Sequence, residues 1–326
     1  MAATPLSSVS HPMLTEYVIK KLHKNRVSTV YSFVKIQSDQ LVKISNLPAE
    51  SIQDLKNFLV HRFAGCFIDA AEVVENAEGF VSTGIPSLDT LLQGGLMPGQ
   101  IYELCGSSGS GKTHLCMTLA AQVAFRDASS VYFIDTKCDF SATKLQHILE
   151  RRHSELSERG LGHTMARIKV ERILSPQLLV KTIEELAAGE HLKNESKVKL
   201  LIIDSLPSLW YLFQASKSSC QPLGLLTKLV CSFRKLANEH SIAIVVVNLT
   251  VRMTDTADVP NTGKRRSNGG GGGYPALGRY WESVPGTRLQ LFAADETDKR
   301  VVKVWKSNYI RSSDRIEVRI NDAGVG

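Results

Sequence analysis

GSSGSGKT, residues 106–113, fills every position of the pattern G-x-x-x-x-G-K-[ST]. It stands between a short alternating run, IYEL (101–104), and HLCMTLAAQVAFR (114–126), whose apolar residues recur at helical spacing. That context predicts a strand, a tight loop and a helix. Glycines at Gly106, Gly109 and Gly111 let the backbone curl until successive N–H groups point inward at phosphate oxygens, and the helix adds the positive end of its dipole. Ser107, Ser108 and Ser110 fill the loop between them. Lys112 then reaches the β- and γ-phosphates, and the Thr113 hydroxyl ligates Mg2+. The expected ligand is ATP with Mg2+.

Downstream of this loop, strand-like runs alternate with helix-like ones. SVYFID (130–135), KVKLLIID (197–204), SIAIVVVN (241–248) and TRLQLF (287–292) are rich in Val, Ile and Leu, the signature of parallel strands buried on both faces. QPLGLLTKLVCSFRKLANEH (221–240) has the length and spacing of a crossover helix. In LLIID the apolar run leads straight into Asp204, at the carboxyl end of its strand, where ligands of a parallel sheet gather. Asp204 is therefore the second expected Mg2+ residue, holding the ion through its water shell.

Upstream, residues 13–25 and 50–64 carry apolar positions at three and four spacing, and SNLP (45–48) signals a turn and a helix start. LVKISNLPAESIQDLKNFL has the outline of a helix-hairpin-helix whose hairpin lacks the glycines needed for close approach to a phosphate. The domain reading is a small helical unit over 1–65, a linker over 66–83 and an α/β core over 84–326.

The bulk properties narrow the class. The 326 residues carry a formal net charge of +7, and residues 1–65 hold 8 Lys/Arg against 4 Asp/Glu, which permits a polyanionic partner. Six cysteines lie scattered without CxxC pairs or histidines at metal spacing, so neither a zinc ribbon nor a disulfide framework is expected, and a reducing compartment fits best. MAATPLSSVSHPM lacks the basic and apolar segments of a secretory leader, and no uncharged apolar run spans a bilayer, so no membrane partner is expected.

The order STGIPSLDTLLQGGLMPGQIYELCGSSGSGKT, YFIDT, LLIIDS, VVVN, a Gly-rich basic loop and PALGRYWESVPGTRL resembles the RecA/RadA family of strand-exchange ATPases, over about residues 81–320. Within it the chain looks most like the D-type branch of the eukaryotic recombinase paralogues. The resemblance implies a RecA-like P-loop ATPase core, with a mostly parallel central sheet flanked by helices, preceded by a small all-α N-terminal domain. It also implies that Lys137 occupies the position of a glutamate that polarises the attacking water. An ammonium group does not take over a carboxylate's role as base. Leu249 stands where the family has a glutamine that senses the γ-phosphate, and Lys144 stands at the position packed near adenine. FIDA, with Phe67 and Ala70, is similar to the family's FxxA element, which docks one subunit on the sheet edge of the next; the alternative is an ordinary linker.

Residues 250–275 (TVRMTDTADVPNTGKRRSNGGGGGYP) form a long Gly-rich segment in which Arg252, Lys264, Arg265 and Arg266 supply charge for phosphates. The resemblance makes it a loop for single-stranded DNA; the alternative is a flexible surface insertion. The KRR triplet also has the composition of a weak nuclear-targeting patch, though such triplets are frequent, and a nuclear location is expected. Trp210 and Tyr211 lie beside leucines, an arrangement expected in a core. The function implied is an ATP-binding accessory subunit of homologous recombination and double-strand-break repair. It would contact single-stranded or branched DNA and assemble with other recombinase paralogues, with weak or partner-dependent hydrolysis. The alternatives are a competent DNA-dependent ATPase drawing a carboxylate from elsewhere, such as Glu103, and a scaffold with a vestigial nucleotide site.

Overall fold

Residues 4–9, 11–63, 78–189, 197–215, 222–252, 273–294 and 296–326 are described by the computed structural model of the chain. They fall into two units, Met1–Ala77 and Glu78–Gly326.

In the first unit, α1 (Glu16–Lys24), α2 (Val30–Lys35), α3 (Ser38–Ser45) and α4 (Ala49–Phe63) enclose a core of Leu22, Phe33, Leu41, Ile52, Leu55 and Leu59. Thr15 starts α1 by accepting from the Val18 amide, and Thr29 with Ser32 forms a reciprocal capping box on α2. The α3–α4 hairpin turns on Asn46, which takes the left-handed conformation at φ 62° that a glycine would adopt freely. Helix α2 was not legible from periodicity, being only 6 residues long.

The second unit is built on a sheet of β1 (Ile101–Gly106), β2 (Ser130–Asp135), β3 (Ile168–Arg172), β4 (Val198–Asp204), β5 (Ala243–Val247), β8 (Thr287–Ala293), β9 (Lys299–Ser307), β10 (Arg315–Asn321) and β11 (Gly324–Val325), while β6 (Thr250–Arg252) and β7 (Gly273–Pro275) pair separately. The order is β11-β10-β9-β8-β1-β5-β4-β2-β3, parallel from β8 to β3 and antiparallel from β8 to β11. The antiparallel extension and the edge strand β3 were missed in sequence because IKVER, KRVVKVWKS and RIEVRIN alternate apolar with charged residues, as a half-exposed strand does.

Strand pleating sends alternate residues to two cores. Tyr102, Leu104, Phe133, Leu200 and Ile202 join one core with the residues of α5 (Pro86–Leu91), α6 (Lys112–Arg126) and α7 (Ala142–Arg152). Ile101, Ile134, Leu201 and Ile203 join the other, with α9 (Pro176–Ala187), α10 (Leu206–Ala215), α11 (Pro222–His240) and Trp281 of α12 (Gly278–Glu282). The short α8 (Glu158–Ala166) precedes β3. Helix α6 is buried along most of its length, which fixes its N-terminus at the end of β1. Trp210 is buried in the second core and donates its indole N–H to the Pro222 carbonyl at 3.3 Å, as its neighbours foretold. Among the described residues no helix is long and apolar enough to cross a membrane.

Candidate nucleotide site

Residues 106–113 join β1 to α6, as the strand-loop-helix context requires. Gly109 and Gly111 take φ values of 75° and 98°, and Gly111 is the N-cap of α6. A side chain at Gly111 would also collide with the Ile320 Cδ1. Ser107, Ser108 and Gly109 are exposed at the rim, whereas Ser110 and Lys112 are buried. The Lys112 ammonium folds back onto its own loop, donating to the Gly106 carbonyl at 3.0 Å, the Ser107 carbonyl at 2.6 Å and the Ser110 hydroxyl at 3.2 Å. Burial pulls the Lys112 ammonium below the ordinary lysine value, Asp204 opposes this, and the Lys137 charge adds to it.

Asp204 ends β4 and is 1% exposed. Neither of its carboxylate oxygens receives a hydrogen bond, yet Lys137 Nζ stands 3.4 Å from Oδ1. A buried carboxylate with no hydrogen-bond donor is expensive unless a cation faces it. The register of the sheet delivers that cation. Asp135 at the end of β2 lies opposite Asp204, so the turn leaving β2 begins beside it. The Asp135 carboxylate accepts from the amides of Lys137 at 3.1 Å, Asp139 at 3.3 Å and Phe140 at 3.0 Å, and Thr136 donates its hydroxyl to the Ser205 carbonyl at 2.6 Å. The turn is thereby pinned with Lys137 against Asp204 and, at 2.9 Å, Asp139. Partial burial lowers the affinity of Lys137 for its proton, but Asp204 and Asp139 outweigh it and hold the ammonium above the ordinary lysine value.

A buried carboxylate whose oxygens accept no hydrogen bond and a threonine hydroxyl in the first turn of α6 are hard oxygen donors, so Asp204 and Thr113 fit the ion their motifs imply. The glycine loop fits a phosphate chain because the left-handed Gly109 and Gly111 give its backbone the curl that turns amides inward.

Glu103 does not supply a free carboxylate. It is fully buried on β1 and accepts from Asn248 Nδ2, from Trp281 Nε1 at 2.7 Å and from Arg288, with which it forms an ion pair. The expectation that it could stand in as a catalytic base is therefore corrected: both oxygens are spent holding β1, β5, β8 and α12 together. Asn248 is equally committed, donating also to the Ala276 carbonyl at 3.1 Å and accepting from the Leu249 amide at 2.8 Å.

Lys144 is exposed in the first turn of α7, and its charge helps burial depress His114 on α6, so it stands near the loop's helix. Two participants escaped sequence reasoning. Asp135 was read only as a strand end, although the short-loop pattern D-x-x-x-x around it could have signalled a carboxylate bonding its own turn. Arg300 on β9 has a buried Nε without a partner, 3.9 Å from the methyl position at Gly111, and nothing in KRVVKV marks it. Arg252 lies on β6 opposite Gly273, so a two-stranded ladder closes the base of the Gly-rich segment. Lys264, Arg265, Arg266, Phe67 and Ala70 lie outside the described residues.

A glycine loop between β1 and a buried helix, an acidic residue at the end of β4, and this strand order define a RecA-like ATP-binding fold. The Rad51 family model matches residues 77–326, and the chain belongs to the Rad51 family, a DNA repair and recombination family. It is 27% identical over 306 residues to DNA repair protein RAD51 homolog 4 of Bos taurus, covering 91% of this chain and 89% of that one. Against the protein of the same name from Mus musculus it is 28% identical over 286 residues, covering 86% and 82%. The crystal structure of the RadB recombinase superposes with a TM-score of 0.58 at 20% identity over 76% of this chain and 98% of that one, a likeness of fold. The family resemblance read from the motifs is borne out.

Replacing Arg288 by Met should destabilise the larger unit by about 3–5 kcal/mol, because it leaves the Glu103 charge buried with only neutral donors. Urea unfolding followed by tryptophan fluorescence measures it; a loss below roughly 1 kcal/mol is what an exposed pair gives and would release Glu103 from this structural role.

Proposed function

We propose that the chain is an ATP-binding accessory subunit of homologous recombination and double-strand-break repair, in which nucleotide acts chiefly as a ligand that favours assembly. The observation that carries this reading is the pairing of an intact phosphate cradle with Lys137 at Asp204. ATP is held by Gly106, Ser107, Ser108, Gly109, Ser110, Gly111, Lys112 and Thr113, with Lys144 near the base. Mg2+, held by Thr113 and Asp204, supplies charge neutralisation on the phosphates. Lys112 exchanges its loop carbonyls for phosphate oxygens, and the loop amides orient the chain. The described positions that the family's chemistry would use offer no free carboxylate: Lys137 is a cation, Glu103 is consumed, and Leu249 has no side-chain donor. A ligand bound only by the assembled form stabilises that form by mass action.

Two surfaces support the partner reading. Among the described strands β3 stands at the edge of the sheet beside β2, and exposed Val170 on it lies close in sequence to exposed Leu174 and Leu178, a pattern suited to receiving an extended apolar segment such as Phe67 to Ala70 of a related subunit. Arg252, Lys264, Arg265 and Arg266 on the segment closed by β6 and β7 suit the phosphates of single-stranded or branched DNA. A nuclear location follows from the same reading.

Lys112→Ala should weaken nucleotide affinity at least about tenfold. The wild-type turnover number should stay below roughly 1 per second, and a faster rate would overturn the loss of hydrolytic chemistry. Neutralising Lys264, Arg265 and Arg266 together should lower single-strand affinity and flatten the slope of log K against log salt by about two; an unchanged slope would make the segment a mere insertion. In co-purification with related recombinase subunits, Phe67→Ala and Leu174→Asp should each lose one partner, whereas retention of all partners by both variants contradicts the docking scheme.

A further inference from the structure

The side chain of Lys137 does more than vacate a catalytic position. Its ammonium lies 3.4 Å from the buried Asp204 Oδ1 and 2.9 Å from Asp139 Oδ2, on a turn that the Asp135 carboxylate pins through three backbone amides. Its side chain is 33% exposed while that of Asp204 is 2% exposed, so the cation reaches inward from the mouth of the site. An ammonium carries three donors, and its contact with Asp204 is an ion pair without a hydrogen bond, so donors remain for another oxygen. Lys112, on the other flank, is already in electrostatic contact with both Asp204 and Lys137.

Lys112, Lys137 and Asp204 together carry one net positive charge before any metal is added, while Asp139, its side chain 55% exposed, offsets part of it through a contact that solvent screens. With a carboxylate at position 137 the same sum would be one net negative charge, and a divalent ion would be needed to restore the value that attracts a triphosphate. The substitution thus changes the local charge by the amount that Mg2+ brings. It also sets the positive group against the carboxylate whose oxygens would otherwise face the ion's water shell.

We propose that the Lys137 ammonium is a tethered cation of the nucleotide site, supplying beside Asp204 the positive charge that a divalent ion would otherwise have to bring, so that nucleotide binding is largely independent of Mg2+. This deepens, and rests on, the reading of residues 106–113 as an ATP cradle. Mg2+ would still fit at Thr113 and Asp204, but it would add to a fixed charge instead of filling an uncompensated site. The nucleotide is then retained when free Mg2+ falls.

The test is equilibrium binding of methylanthraniloyl-ATP by fluorescence to the full chain, in excess Mg2+ and in EDTA, for wild type, Lys137→Ala and Lys137→Glu, with melting curves to show that each is folded. Wild-type affinity should fall less than about threefold on removing Mg2+, whereas Lys137→Ala should fall at least about tenfold and Lys137→Glu further still. If Lys137→Glu fails to fold, the alanine variant carries the comparison. Equal and strong Mg2+ dependence in wild type and Lys137→Ala would overturn the tethered cation while leaving the ATP cradle standing. Absence of binding by folded wild type in either condition would instead overturn the cradle itself.

Discussion

A carboxylate at the end of a buried strand, with neither oxygen receiving a hydrogen bond, demands a cation, and Lys137 faces Asp204 at 3.4 Å. The rest of the larger unit is arranged around that demand. Parallel register sets Asp135 opposite Asp204, the Asp135 carboxylate ties the turn that follows, and the turn presents Lys137. On the near side, β1 and the buried helix α6 fix Lys112 and the glycine loop at the same end of the sheet. Two lysines therefore converge on one acid, which suits the retention of a polyanion better than the activation of water.

The sheet holds a second buried acid with the opposite fate. Glu103 is satisfied by an amide, an indole and a guanidinium, although the Arg288 guanidinium keeps one buried nitrogen without a partner. Its position on β1, one residue from Leu104 and facing Trp281, belongs to the framework of the fold. Asp204 is the last residue of β4, and its oxygens accept no hydrogen bond. The contrast between them separates structural from functional charge more cleanly than distance from the loop would.

Much of this was legible in the chain itself. The glycine loop, the four Val/Ile/Leu strands and Asp204 announce themselves because parallel strands buried on both faces cannot avoid continuous apolar runs, and because phosphate loops tolerate few residues. The family followed from the order of those motifs, and its model match over residues 77–326 agrees. The antiparallel strands β9 to β11 and the edge strand β3 escaped, since one-sided burial gives only weak alternation among charged residues. Contacts set by register escaped too. Nothing in YFIDTKCDF says that Lys137 points at an acid 67 positions downstream, and nothing in the sequence of β1 says that Glu103 is spent on Trp281 and Arg288.

The most direct test of this account is a structure of the chain bound to a non-hydrolysable ATP analogue with Mg2+. The account predicts triphosphate oxygens cradled by the amides of Gly106 to Thr113, Lys112 withdrawn from its loop carbonyls, and the Lys137 ammonium retained at the γ-phosphate end beside Asp204. A triphosphate seated elsewhere, or Lys137 turned out to solvent while a fully hydrated Mg2+ occupies Asp204, would contradict it.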